Sequence, residues 1–78
     1  MNTVSVSLNS IDKVKSFVNV VGKYKADFDL VSGRYVIDAK SIMGIFSLDL
    51  SKPITLKIHD TDEMNQILED LKPFLVEA

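Results

Sequence analysis

Few side chains in this sequence have the chemistry to act on a substrate or hold a ligand, and they fall in three short stretches. The first is "NSIDKVK", Asn9 to Lys15, where Ser10 and Asp12 open a helical pattern. The second is "DAKSIMGIFSLDL", Asp38 to Leu50, which sets Ser41 ahead of Ile42, Met43, Ile45, Phe46 and Leu48. The third is the lone histidine, His59, beside Asp60. A hydroxyl or carboxylate at the start of a helix ordinarily serves the free backbone amides and the helix dipole. A histidine next to an aspartate at a strand end is ordinarily a surface residue or a turn partner. The absence of cysteine excludes disulfides and thiolate chemistry, and one histidine cannot build the usual zinc clusters. No metal site, no cofactor and no catalytic constellation is expected, so the chain does not read as an enzyme.

What must position these residues is small. A chain of 78 residues supports one domain, 1–78, with a single two-layer core. The composition, 46% hydrophobic and 26% charged, is globular. The opening "MNTVSVSL" has neither the basic start nor the long apolar run of a signal peptide or membrane span, so a cytoplasmic, monomeric protein is expected. The net charge is −2 and the basic residues are scattered without interleaved aromatics. Neither nucleic acid nor a membrane is an expected partner.

Val4, Val6 and Leu8 alternate with Ser5 and Ser7, predicting a strand near 3–8. Asn9 and Ser10 offer caps, and Ile11, Val14, Phe17, Val18 and Val21 predict a helix over 11–22, ended by Gly22. Alternation resumes at 27–31 and 34–39, a hairpin closed at Ser32-Gly33. A fourth strand, 54–59, enters through Pro53, where a proline sacrifices no ladder bond. Asp60 or Thr61 caps a last helix over 61–72, with Glu63 in range of a capping box and Pro73 at its end. Val14, Phe17, Val18, Val21, Phe28, Leu30, Ile37, Leu56, Ile58, Met64, Ile67, Leu68 and Leu71 are the predicted core.

The order is β, α, β, β, short α, β, α. One-faced strands and two long amphipathic helices predict an α+β open-faced sandwich: a four-stranded antiparallel sheet with the helices on one face. The short helix, Ser41 to about Phe46 or Ser47, has little sheet left to cover. Part of its apolar surface should face water, as a docking surface does.

From Lys23 to Leu50, "KYKADFDLVSGRYVIDAKSIMGIFSLDL" resembles the middle of HPr, the phosphocarrier of the bacterial sugar phosphotransferase system. The most specific piece is "KSIMG" followed by "SL". The resemblance implies the HPr fold for the whole chain. It sets Ser41 on the regulatory serine modified by HPr kinase/phosphorylase, and Lys40, Ile42, Met43 and Phe46 on the helix that docks partners.

The departure lies at the first helix. An HPr carries phosphate on a histidine there, in a loop of the type Gly-[Ile/Leu]-His-[Ala/Thr]-Arg-Pro, whereas "NSIDKVK" has no His, Arg or Pro. Aligned without a gap, Ser10 stands where the family has its histidine; with a gap, Asp12 does. Lys13 could supply charge but no bidentate fork, and His59 at the far end of the fourth strand is a poor substitute carrier. Loss of the phosphocarrier role is therefore expected. Ser41 reads first as a cap for its helix, and a phosphate there would add about −1.5 to −2 charges without refolding it. Three functions are in contention. One is a regulatory relative resembling the catabolite-repression HPr paralogue, which lacks the active histidine, keeps the serine and acts with a LacI-type transcription regulator. The others are an HPr-fold interaction domain with no phosphotransfer link and a phosphocarrier with a non-histidine acceptor.

Overall fold

The alternation of Ile54, Leu56 and Ile58 with Thr55 and Lys57 becomes the middle of the molecule in the computed structural model, which describes residues 2–76. The elements are β1 (Asn2–Val6), α1 (Ile11–Gly22), β2 (Phe28–Ser32), β3 (Tyr35–Asp38), α2 (Ile42–Phe46), β4 (Ile54–Ile58) and α3 (Met64–Leu71). A 3-10 turn (Lys72–Phe74) and β5 (Leu75–Val76) follow. The strand order is β3-β2-β4-β1-β5 and every pairing is antiparallel. This is the predicted α+β open-faced sandwich, with a fifth strand: Leu75 and Val76 pair with Val6 and Ser5 and extend the edge that the four-strand reading left at β1.

The register explains the layering. Val4 and Leu30 lie opposite Leu56, and Val6 lies opposite Ile54, so one set of alternate side chains shares a face. α1 and α3 cover that face with Val14, Phe17, Val21, Ile67 and Leu71, all sealed from water. The rings of Phe17 and Phe74 meet edge to face at 5.7 Å, a favoured aromatic arrangement. The other face carries Thr3, Ser5, Asp29, Thr55 and Lys57.

Several expectations need correction. The hairpin loop is Gly33-Arg34 rather than Ser32-Gly33, because Ser32 is still paired, with Tyr35. Gly33 has φ +60° and Arg34 does not share a positive φ, the requirement of a turn with glycine at its first central position. α3 starts at Met64, not near 61. Glu63 occupies its N-cap without a side-chain bond, and Thr61 Oγ1 instead accepts from the Glu63 amide at 3.2 Å, so no capping box forms. Pro73 converts the end of α3 to a 3-10 turn, which delivers Phe74 to the core.

Val18, Ile37, Met64 and Leu68 pack against the core only half-buried. Val6, Leu8, Tyr24, Ala39, Ile45, Ile54 and Phe74 belong in it. Leu8 is buried although β1 ends at Val6, because Ser7 N donates to Phe74 O at 2.8 Å and holds the chain against the turn.

Candidate functional site

Two helix starts carry the predicted chemistry. At α1, Ser10 is extended (φ −146°, ψ 157°) and its Oγ accepts from Lys13 N at 3.1 Å. That is N-cap geometry, and it satisfies one of the orphan amides of the first turn. Asp12 lies in that turn, exposed, where a carboxylate complements the helix dipole. Lys13 is half-buried and Lys15 exposed.

At α2, Ser41 repeats the arrangement. Its Oγ accepts from Gly44 N at 3.3 Å, its own amide donates to Asp38 O at 3.0 Å, and the residue is exposed. The helix continues through Gly44 to Phe46, so the glycine does not stop it. A Cβ at position 44 would stand 3.2 Å from Ser41 Oγ and 3.3 Å from Ile37 Cδ1. The missing side chain is what lets α2 sit close on β3 with its cap intact.

The apolar run that follows divides cleanly. Ile45 is fully buried and anchors the helix, Ile42 is half-buried, and Met43 and Phe46 are 79% and 42% exposed. Lys40 points elsewhere: its Nζ donates to Tyr24 O at 2.8 Å and lies 5.7 Å from the centre of the Phe28 ring. That lysine ties the start of α2 to the end of α1.

The start of α1 meets the end of α2. Asn9, Ser10 and Ile11 line one shallow depression together with Phe46, Leu50 and Ser51. Ile11 is 62% exposed, because as the first residue of α1 it precedes the turns that lie on the sheet. Ile11 and Leu50 were missed as site residues; each reads locally as one more member of an apolar pattern. Ser51 donates through its hydroxyl and its amide to Asp49 Oδ1, at 2.6 and 3.1 Å, which holds that carboxyl below the usual carboxylate range.

His59 is remote from this surface. Val6 pairs with Ile54 near the start of α1, whereas Ile58 pairs with Asn2 at the opposite end, about 13 Å away along the strands. His59 Nε2 lies 2.8 Å from Asp29 Oδ2 on the open face of the sheet. Among the described residues, no group of three or more histidine, aspartate or glutamate side chains is placed to hold a metal ion. No described helix is long and apolar enough to cross a membrane.

An antiparallel sheet covered on one face by two long helices, with a short third helix beside the start of the first, defines a phosphocarrier-type fold. The family model described as the PTS HPr component phosphorylation site matches residues 13–77, and the chain belongs to that family. HPr phosphocarriers are not enzymes in themselves.

Among solved structures the chain is similar to HPr-C-His from Thermoanaerobacter tengcongensis, with a TM-score of 0.75 and 23% identity over 91% of this chain and 86% of that one. It is similar also to the phosphocarrier protein HPr from Bacillus anthracis, with a TM-score of 0.70 and 27% identity over 96% and 94%. A histidine-containing phosphocarrier protein of Mycoplasma has the same fold at 13% identity, with a TM-score of 0.70 over 92% and 86%. No curated protein matches the chain.

Proposed function

We propose that this chain is a regulatory member of the HPr family: it carries no phosphate on histidine and is switched by phosphorylation of Ser41. One observation carries the reading. Ser41 is exposed at the N-cap of α2 beside exposed Met43 and Phe46, in a chain whose sole histidine stands at the far end of the sheet. Ser10 and Asp12, the nearest counterparts of the family histidine, serve as a cap and a first-turn carboxylate. Neither can form the phosphoramidate on which transfer between carriers depends. The family match begins at Lys13, beyond both.

In this reading the chain is a cytoplasmic signal rather than an enzyme, working within carbon catabolite control. HPr kinase/phosphorylase modifies Ser41, and a regulator of the LacI type reads the result. Met43 and Phe46 supply a deformable apolar contact, while an arginine or lysine of the regulator pairs with the phosphate.

The test uses two phosphate donors. With phosphoenolpyruvate and the first enzyme of the sugar system, the chain should stay unlabelled; an acid-labile label lost in His59→Ala would overturn that half. With HPr kinase and ATP, intact mass should rise by one phosphate in wild type and not in Ser41→Ala. Failure of the second result would leave an HPr-fold interaction domain without a phosphotransfer link.

A further inference from the structure

β3 is the end strand of the sheet, paired on one side only, with β2. Ala39 N donates to Phe28 O at 3.0 Å, and the register places Ile37 opposite Leu30 and Tyr35 opposite Ser32. Tyr35, Ile37 and Ala39 therefore turn their backbone groups inward. In an antiparallel ladder the intervening residues face the other way, so Arg34 and Val36 present theirs along the open edge, and Asp38 presents its amide, its carbonyl already accepting from Ser41 N.

Such edges are normally blunted by lysine, proline, a bulge or a covering segment. "YVID" contains no lysine or proline, and among the described residues no strand lies beyond it. It exposes two consecutive large apolar residues instead, Tyr35 at 70% and Val36 at 61%.

We propose that β3 is the interface of a weak symmetric dimer, in which two copies of this chain pair antiparallel, edge to edge, about a two-fold axis at Val36. The register identifies the occupant. With Val36 opposite its own counterpart, Arg34 of each copy faces Asp38 of the other, and Tyr35 faces Ile37. Two opposite-charge pairs and two apolar pairs result from one symmetric contact.

Neighbouring registers lose this match. Pairing Val36 with Arg34 or with Asp38 leaves charges facing valine, and pairing Arg34 with Arg34 or Asp38 with Asp38 sets like charges opposite. Asp38 Oδ1 already accepts from Lys40 N at 2.9 Å, so the carboxylate is held in place with its second oxygen available. An interface this short falls below the area of a standard stable complex, so the dimer forms only at high concentration and the chain is a monomer when dilute. This inference does not depend on the role of Ser41.

Sedimentation velocity over a concentration series of the full 78-residue chain tests it, with far-UV circular dichroism to verify folding. Wild type should show a rising dimer fraction. Arg34→Asp alone, Asp38→Arg alone and Val36→Lys should each weaken association about tenfold or more. An equimolar mixture of Arg34→Asp and Asp38→Arg chains should dimerise again, because every facing charge is then opposite. A wild type that stays monomeric throughout, single variants that associate normally, or a mixture that does not recover would each overturn the proposal. Should Asp38→Arg fail to fold, Arg34→Asp and Val36→Lys decide: unaltered association in either refutes the interface.

Discussion

The Tyr24 hydroxyl donates a hydrogen bond to the Asp70 carboxylate, joining residues 46 positions apart, one just beyond α1 and the other near the end of α3. This bond, with burial and the negative charge of Asp70 acting the same way, pushes the Tyr24 phenol up to about 12 from an ordinary value of 10. The neutral form is favoured in the folded state. Its contribution to stability is therefore complete below pH 10 and lost as pH rises from 10 to about 12. The melting temperature of Tyr24→Phe should lie below that of wild type at neutral pH. The gap between the two should stay constant up to pH 10 and close above it, and a gap that persists at pH 12 would assign the loss to packing.

Phe17 is fully buried, and its ring stands edge to face with Phe74, which the 3-10 turn after α3 brings in. Truncating it removes a large apolar surface and leaves a cavity beneath α1. Phe17→Ala should cost about 3 to 5 kcal/mol in urea unfolding, a large share of what holds a domain of this size together. Phe74→Leu keeps most of the volume and loses the ring geometry, so its cost should be about 1 kcal/mol.

Ser10 has been weighed as a cap and as a stand-in for a phosphate acceptor, and one substitution separates the roles. Losing the bond from Lys13 N to Ser10 Oγ should cost about 1 kcal/mol in Ser10→Ala, while Ser10→Asp, which can also accept that bond, should restore most of it. Incubation with phosphoenolpyruvate and the first enzyme of the sugar system should label none of the three chains. Labelling of wild type that disappears in Ser10→Ala would make the hydroxyl an acceptor.

The sheet and both long helices were legible in the sequence because each buries one face and so imposes a period on the apolar residues. Phe28 and Leu30, or Val14, Phe17 and Val21, reveal their environment by spacing alone. What escaped depends on contacts between distant segments. Leu75 and Val76 are too few to show alternation and become a strand only because Ser5 and Val6 offer them an edge. Ile45 is core because α2 sits close on β3, and that closeness rests on Gly44 beside Ile37. At the candidate site, Ser41 as a cap followed from a serine at the start of a helix, and the exposure of Met43 and Phe46 from the short helix having little sheet to cover. Ile11 and Leu50 did not, since nothing local places the start of α1 against Phe46.

α2 offers the sharpest separation of folding from recognition, because five residues contain one side chain wholly inside the protein and another almost wholly outside it. Ile45 is fully buried, so Ile45→Ala should cost about 2 to 5 kcal/mol. Met43 is 79% exposed and two positions away, so Met43→Ala should change stability by less than about 0.5 kcal/mol. Binding should rank them in reverse. If Met43 and Phe46 are the contact a regulator buries, Met43→Ala should bind the phosphorylated chain's regulator at least about tenfold more weakly while melting like wild type. Calorimetric titration beside thermal unfolding measures both quantities on the same samples. Unchanged binding by the Met43→Ala protein would move the docking surface off α2, toward Ile11 and Leu50, while the burial of Ile45 would still account for the helix.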